Sequence, residues 1–156
     1  MIFEKKIDGM HVFLRIDGYR NPSKHEFGTV WCDCGFSFSL RNAVAYRKDS
    51  DSILTPHEID WLAEALTDLL DGKITAPREI AMLEPDFVFL LYPAKAQHED
   101  DKTVNVFPGS WFDDVYAEWR VCFWNDGAPT DNYLPVILAR EDVKDLRDFL
   151  NKCKKV

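Results

Sequence analysis

The feature that most constrains the fold is a period-two alternation of apolar and polar residues in two early segments. In residues 30–40 the apolar side chains occupy every second position, which places them together on one face of an extended chain. Residues Met10–Asp17 alternate in the same way. Gly35, inside the longer segment, indicates a bulge or a close backbone approach. Both segments predict half-buried strands with one face in the core.

Two other segments have the period of an amphipathic helix. Thr55 precedes Pro56, and Glu58 follows three residues after Thr55, which is the capping-box pattern of a helix start. Gly72 fits the left-handed stop of that helix. Its apolar stripe is Ile59, Leu62, Leu66 and Leu69. A second helix is predicted to start near Arg140, with Val143, Leu146, Phe149 or Leu150, and Cys153 on its stripe.

Short apolar segments in the rest of the chain predict the remaining strands. They are residues 43–46 before a polar loop at 47–52, then 87–92, 103–107, 116–124 and 133–138, the last as a strand or a lead into the helix. Asn125-Asp126-Gly127 is a turn signal. The 156 residues contain no internal repeat and no linker. The chain therefore predicts a single α+β domain, residues 1–156, with a mostly antiparallel sheet and two helices, one in mid-chain and one C-terminal.

Composition and charge exclude several classes of partner. A content of 46% hydrophobic and 29% charged residues is ordinary for a folded globular protein. The net charge of −8 argues against nucleic acid or an anionic membrane as the partner. The sequence contains no apolar run of the roughly 18 residues that a membrane helix needs, and its start lacks the apolar run of a signal peptide. We therefore expect a cytoplasmic protein.

The negative charge is concentrated between Glu99 and Asp131. This stretch contains eight acidic and two basic residues, and large aromatic residues lie among them. Acids interleaved with aromatics suit contact with a basic protein. An alternative is that the aromatics close the core while the acids stay in solvent. The predicted partner-contact residues are Trp111, Asp113, Asp114, Tyr116, Glu118, Trp119 and Asp126.

No catalytic constellation accompanies this stretch. The four histidines, His11, His25, His57 and His98, fall in separate segments without metal-binding spacing. Neither a nucleophile elbow nor a phosphate-binding glycine loop occurs. We expect no enzymatic activity and no cofactor. Two alternatives stay open: a metal-dependent hydrolase that uses His98 with the acids at 99–101, and a self-associating subunit with an aromatic homodimer face. The oligomeric state also stays open.

The four cysteines give no metal signature. Cys32 and Cys34 lie two residues apart, which does not match the Cys-x-x-Cys pairs of common zinc sites. In a reducing cytosol we interpret them, with Cys122 and Cys153, as small buried hydrophobic residues. A metal site or a redox pair is the alternative.

Three pieces of sequence follow one another along the chain. Residues 31–34 read Trp-Cys-Asp-Cys; residues 54–59 read Leu-Thr-Pro-His-Glu-Ile, followed by Leu-Glu-Pro-Asp-Phe at 83–87; residues 130–134 read Thr-Asp-Asn-Tyr-Leu. This layout resembles small bacterial immunity proteins of the WapI type. In that family a Thr-x-x-Glu helix, a Glu-Pro strand start and a Thr-Asp-Gln-x-Tyr/Phe-Leu segment occur in this order.

The sequence departs from the family pattern at two places. Asn132 stands where the family often has Gln, and the segment 20–27 is long. The resemblance implies a cytosolic protein that binds and neutralises a cognate toxin, with no catalysis of its own. It assigns no contact residues, because immunity interfaces vary with the toxin. Independently, an acidic, aromatic-rich face suits a basic nuclease toxin.

Overall fold

The computed structural model describes residues 1–19, 30–41, 43–50, 52–94 and 114–154. The return strand predicted at 103–107 lies outside these residues. Within them the elements, in chain order, are β1 (Ile2–Ile7), β2 (Met10–Asp17), β3 (Asp33–Leu40), β4 (Val44–Ser50), α1 (Pro56–Leu70), β5 (Arg78–Ala81), β6 (Phe87–Tyr92), β7 (Tyr116–Asn125), β8 (Ala128–Ala139) and α2 (Arg140–Cys153).

The strands form two four-stranded antiparallel sheets. The first has the order β1-β2-β3-β4 and the second the order β5-β6-β7-β8, so each sheet is a run of sequence neighbours. The α+β class with two helices is confirmed. The strands nevertheless form two sheets where one was expected, because α1 interrupts the run of strands and the chain starts a new sheet after it. Alternation reports which face of a strand is buried, but not which strands share a sheet.

Aromatic side chains join the two sheets at the centre of the core. Phe38 of β3 packs edge-on against Trp119 of β7, with ring centroids 5.2 Å apart. The ring centroids of Phe36 and Phe87 of β6 lie 4.7 Å apart, with an angle of 59° between the ring planes. Such aromatic pairs contribute about 0.5–1.5 kcal/mol beyond the area that they bury. The two sheets therefore share one core.

Both helices start where their sequences predict, and both bury the predicted apolar stripe. The Glu58 N–H donates to Thr55 Oγ1 at 3.2 Å, and the Thr55 N–H donates to Glu58 Oε2 at 2.7 Å, so the capping box is complete. Gly72 adopts a φ of 72° after α1 ends. The predicted stripe of α1 is buried, and so is that of α2, where both Phe149 and Leu150 face inward. The two helices pack against each other.

The strands that sequence reasoning missed or shortened are mostly edge strands. β1 and β5 were not predicted, and β4 includes residues that were expected to form a polar loop. β1, β4 and β5 each pair on one side only, so they bury few apolar side chains and carry charged ones. In β1 only Phe3 and Ile7 are buried. An edge strand of this composition gives a weak hydropathy pattern.

Candidate functional site

The outer face of the second sheet carries apolar and aromatic side chains, although the solvent face of an antiparallel sheet is ordinarily polar. The register of β6, β7 and β8 brings the outward positions side by side. We call this the outer face, and all of its residues are half-buried or exposed. They are Val88, Leu90, Tyr92, Tyr116, Glu118, Arg120, Cys122, Tyr133, Pro135 and Ile137.

Two tyrosines occupy one end of the outer face. The rings of Tyr92 and Tyr116 stack with centroids 4.5 Å apart and an angle of 8° between their planes. Burial raises the pKa of Tyr116 to about 12, so its phenol is neutral at physiological pH. This end therefore presents aromatic surface without charge.

Further along the outer face, Glu118 and Arg120 of β7 and Tyr133 of β8 are in contact with one another. Arg120 Nε lies 2.6 Å from Glu118 Oε1, and the Arg120 guanidinium lies over the Tyr133 ring, 4.6 Å from its centroid. The cation is thus held between a carboxylate and an aromatic face, which fixes the orientation of all three groups. Tyr133 is 45% exposed, so its ring remains accessible.

The hairpin between β7 and β8 extends the outer face. Asp126 and Gly127 have φ values of 50° and 79°, as a two-residue type I′ turn requires, which confirms the predicted turn. Close to the turn the register shifts, so that Phe123 opposes residues 130–132. Thr130 Oγ1 fixes this bulge: it donates to the Phe123 carbonyl at 2.8 Å and accepts the Asn132 N–H at 3.2 Å. Asp131 lies exposed in the bulge.

The structure separates the predicted contact residues. Trp111 and Asp113 lie outside the described residues, and Tyr116 and Glu118 are on the outer face. Trp119 is fully buried, which corrects its prediction as a contact residue. The reason is the alternation along β7: a residue next to Glu118 points to the opposite face, and in this sheet that face is the core.

The remaining two predicted residues lie at opposite ends of β7. Asp114 precedes the strand, and Asp126 follows it in the hairpin turn. At the rise of an extended strand the two positions are separated by roughly 40 Å. Asp114 and Asp126 therefore cannot contact the same small patch of a partner.

The acids near the outer face differ in whether their charge is compensated. Arg140 Nη2 lies 2.6 Å from Asp114 Oδ1, and Nε lies 2.8 Å from Oδ2. This guanidinium holds the pKa of Asp114 below its ordinary value. Within the described part of the chain, Asp126 and Asp131 form no ion pair, whereas Glu118 pairs with Arg120. Among the described acids of the outer face and its hairpin, the ones without an ion pair are therefore Asp126 and Asp131.

The alternative sites from the sequence gain no support from the residues that can be described. All four cysteines are free thiols, and burial raises the pKa of Cys32 to about 12, so this group is a thiol at neutral pH. No three His, Cys, Asp or Glu side chains of the described ranges gather as metal ligands. His25, His98 and the acids at 99–101 lie outside those ranges. None of the helices described here is long and apolar enough to cross a membrane.

Comparison with protein families decides the affiliation. The profile of the Immunity protein WapI-like family matches residues 1–156, which is the whole chain. The chain belongs to the WapI-like immunity protein family. This confirms the resemblance drawn from the short motifs. A search of curated proteins finds no match.

The motifs shared with the WapI-like family have structural tasks in this chain. Glu58 of the Thr-x-x-Glu helix start is buried, and its second carboxylate oxygen accepts the N–H of Leu83, which begins the Leu-Glu-Pro segment. Thr130, in the third motif, fixes the bulge in β8. Glu58 and Thr130 therefore hold the fold of this WapI-like protein.

Arg120 and Tyr133 are among the outer-face residues that were not predicted as contacts. Arg120 could have been found, because it shares the outward phase of β7 with Glu118. Tyr133 could not, because its place beside Arg120 depends on the register of β7 with β8, which the bulge at residues 130–132 shifts. No local pattern in the sequence reports that shift.

Proposed function

We propose that this protein is an immunity protein that binds and neutralises a cognate, basic toxin through the acidic, aromatic-rich surface of its second sheet. The observation that supports this most directly is the family match over the whole chain. The outer face supports the proposal as a candidate binding surface, with Tyr116 and Glu118 half-buried on it and Asp126 exposed at its hairpin end. Trp111 and Asp113 remain proposed contacts from the sequence.

Neutralisation by binding needs no chemistry in the immunity protein. The acidic side chains attract a basic partner and raise the rate of encounter, while aromatic side chains supply the buried contact that slows dissociation. A nuclease toxin fits this scheme, because proteins that bind phosphate backbones present a basic surface. A chain with net charge −8 complements such a surface. We place the encounter in the cytoplasm, where a nuclease would meet its substrate.

The proposal is tested by co-purification. The tagged protein is expressed together with the product of the gene adjacent to its own, used as the candidate toxin, and washed at increasing salt. We expect an equimolar complex that is lost as the salt concentration rises, because screening weakens charge attraction. A control pull-down uses the same tagged protein with an unrelated basic nuclease, which should not be retained. A failure to retain the neighbouring toxin at low salt would contradict the proposal.

A further inference from the structure

The half of the outer face next to the hairpin differs from the tyrosine pair at the other end. It carries the accessible ring of Tyr133 together with two aspartates that form no ion pair among the described residues. We call it the hairpin surface; its residues are Arg120, Tyr133 and Pro135 on the sheet, with Asp126 and Asp131 at the tip.

The centre of the hairpin surface is ordered before any partner arrives. Tyr133 is exposed, yet its ring is held under the guanidinium of Arg120, which Glu118 holds in turn. Binding therefore loses less side-chain freedom here than at an unrestrained surface tyrosine. Tyrosine and arginine are also the residue types most enriched among side chains that dominate binding energy. Tyr133 and Arg120 are suited to anchor a partner.

The charge of the hairpin surface selects the kind of partner. Asp126 is held outward by the type I′ turn and Asp131 by the bulge, and neither has a cationic neighbour among the described residues. A basic protein compensates both charges on docking. A second copy of this chain, which also carries −8, is repelled. Charge complementarity thus favours a basic protein over a homodimer.

Resting on the proposed function, we infer that the toxin docks on the hairpin surface, with Tyr133 and Arg120 as the anchor and with Asp126 and Asp131 as the charges that attract it. The two tasks fall on different residues. The anchor controls the dissociation rate and the two aspartates control the association rate.

The test measures association and dissociation rates with the purified, catalytically inactivated candidate toxin from the co-purification experiment. In the first variant Asp126→Asn is combined with Asp131→Asn; asparagine tolerates the left-handed turn conformation, so the hairpin is kept. We expect association at low salt to slow by roughly two- to fivefold, with dissociation unchanged. The control is Asp114→Asn, which removes one negative charge at the opposite end of β7, roughly 40 Å from Asp126, and it should leave association within roughly twofold of the unsubstituted protein.

The second arm tests the anchor. Tyr133→Ala should speed dissociation by roughly tenfold or more, as truncation of a central aromatic contact does. Tyr133→Phe keeps the ring under Arg120 and should dissociate less than about threefold faster. Circular dichroism confirms that the variants fold.

The outcomes separate the two proposals. If the unsubstituted protein binds the toxin and all of these variants bind at the same rates, the toxin docks elsewhere; the inference is overturned while the immunity function stands. If the unsubstituted protein does not bind, the proposed function itself fails.

Discussion

Lys48 donates two hydrogen bonds to the carboxylate of Asp86, at 2.7 and 2.9 Å, and so connects the two sheets. Lys48 belongs to the edge strand β4 of the first sheet, and Asp86 directly precedes β6 of the second. Asp86 is fully buried, and the Lys48 ammonium also lies 3.8 Å from the centroid of the Trp124 ring. Burial raises the pKa of Asp86, and Lys48 opposes that rise. The pair fixes the position of β4 against the second sheet.

Removing the cation should destabilise the fold. Lys48→Met leaves the buried carboxylate of Asp86 without its partner, which costs about 3 kcal/mol in the free energy of unfolding. Urea denaturation at neutral pH measures this loss. Lys48→Met combined with Asp86→Asn removes both charges and should recover part of it. Strict additivity of the two single losses would show that the residues are not coupled.

The loss of unfolding free energy caused by Lys48→Met should depend on pH. A carboxyl group whose folded pKa is raised binds protons more readily in the folded state, so protonation favours folding as the pH falls through that pKa. Without Lys48 the pKa of Asp86 rises further, because the cation that opposes the effect of burial is lost. The stability difference between Lys48→Met and the unsubstituted protein should therefore shrink on acidification. A difference that stays constant down to acid pH would contradict this.

The Asp114–Arg140 pair should also lose its contribution in acid, although here the pKa of the carboxyl group is lowered and not raised. Arg140 lowers the pKa of Asp114, so the stabilisation is present above the unfolded pKa near 3.9 and is lost as the pH falls through the folded pKa. Since the Asp114 side chain is 48% exposed, we expect less than about 1 kcal/mol. Unfolding of Asp114→Asn across the acid range should show a deficit at neutral pH that vanishes in acid. A deficit that persists in acid would rule out the ion pair as its cause.

Glu58 should contribute more than an ordinary helix cap. Its carboxylate accepts hydrogen bonds from the Thr55 N–H and hydroxyl at 2.7 and 2.8 Å, and also from the Leu83 N–H. Glu58→Ala leaves these donors unpaired in a buried place, and we expect a loss of about 2–4 kcal/mol in unfolding free energy. Thermal and urea unfolding measure it. Glu58→Gln keeps an acceptor oxygen and should lose less; an equal loss would show that the hydrogen bonds are not responsible.

The bulge in β8 should depend on one hydroxyl group. Thr130→Val keeps the shape of the side chain but removes the bonds to Phe123 and Asn132, at a cost of about 1 kcal/mol. Thr130→Ser keeps the hydroxyl and should lose less. Unfolding free energies compare the two, and amide exchange at Asn132 should quicken in the valine variant alone. Equal exchange in both variants would contradict the role assigned to Thr130.

Local sequence patterns predicted the interior of this fold well. The alternation in Met10–Asp17 and the capping box at Thr55 depend only on residues that are close in the sequence. Both predictions are confirmed. The Asn125-Asp126-Gly127 turn is confirmed for the same reason, since its φ values depend on the turn residues themselves.

The sheet partition and the charge pairing could not be predicted in this way. Lys48 and Asp86 are 38 residues apart, and Asp114 and Arg140 are 26 apart, so no local pattern connects them. The concentration of acid in the sequence was therefore a poor guide to free charge. Asp114 is compensated by α2, whereas Asp126 is not compensated by any residue that the structure describes. For this reason the hairpin, and not Asp114, carries the charge of the proposed contact surface.

The most direct test of the account is an inhibition titration. The active candidate toxin from the co-purification experiment is mixed with increasing amounts of the purified protein, and its residual activity is measured. The account predicts that activity falls linearly and vanishes at one equivalent of this protein, as tight stoichiometric binding requires. Full toxin activity in the presence of a large molar excess would contradict the claim that this protein neutralises the toxin by binding it.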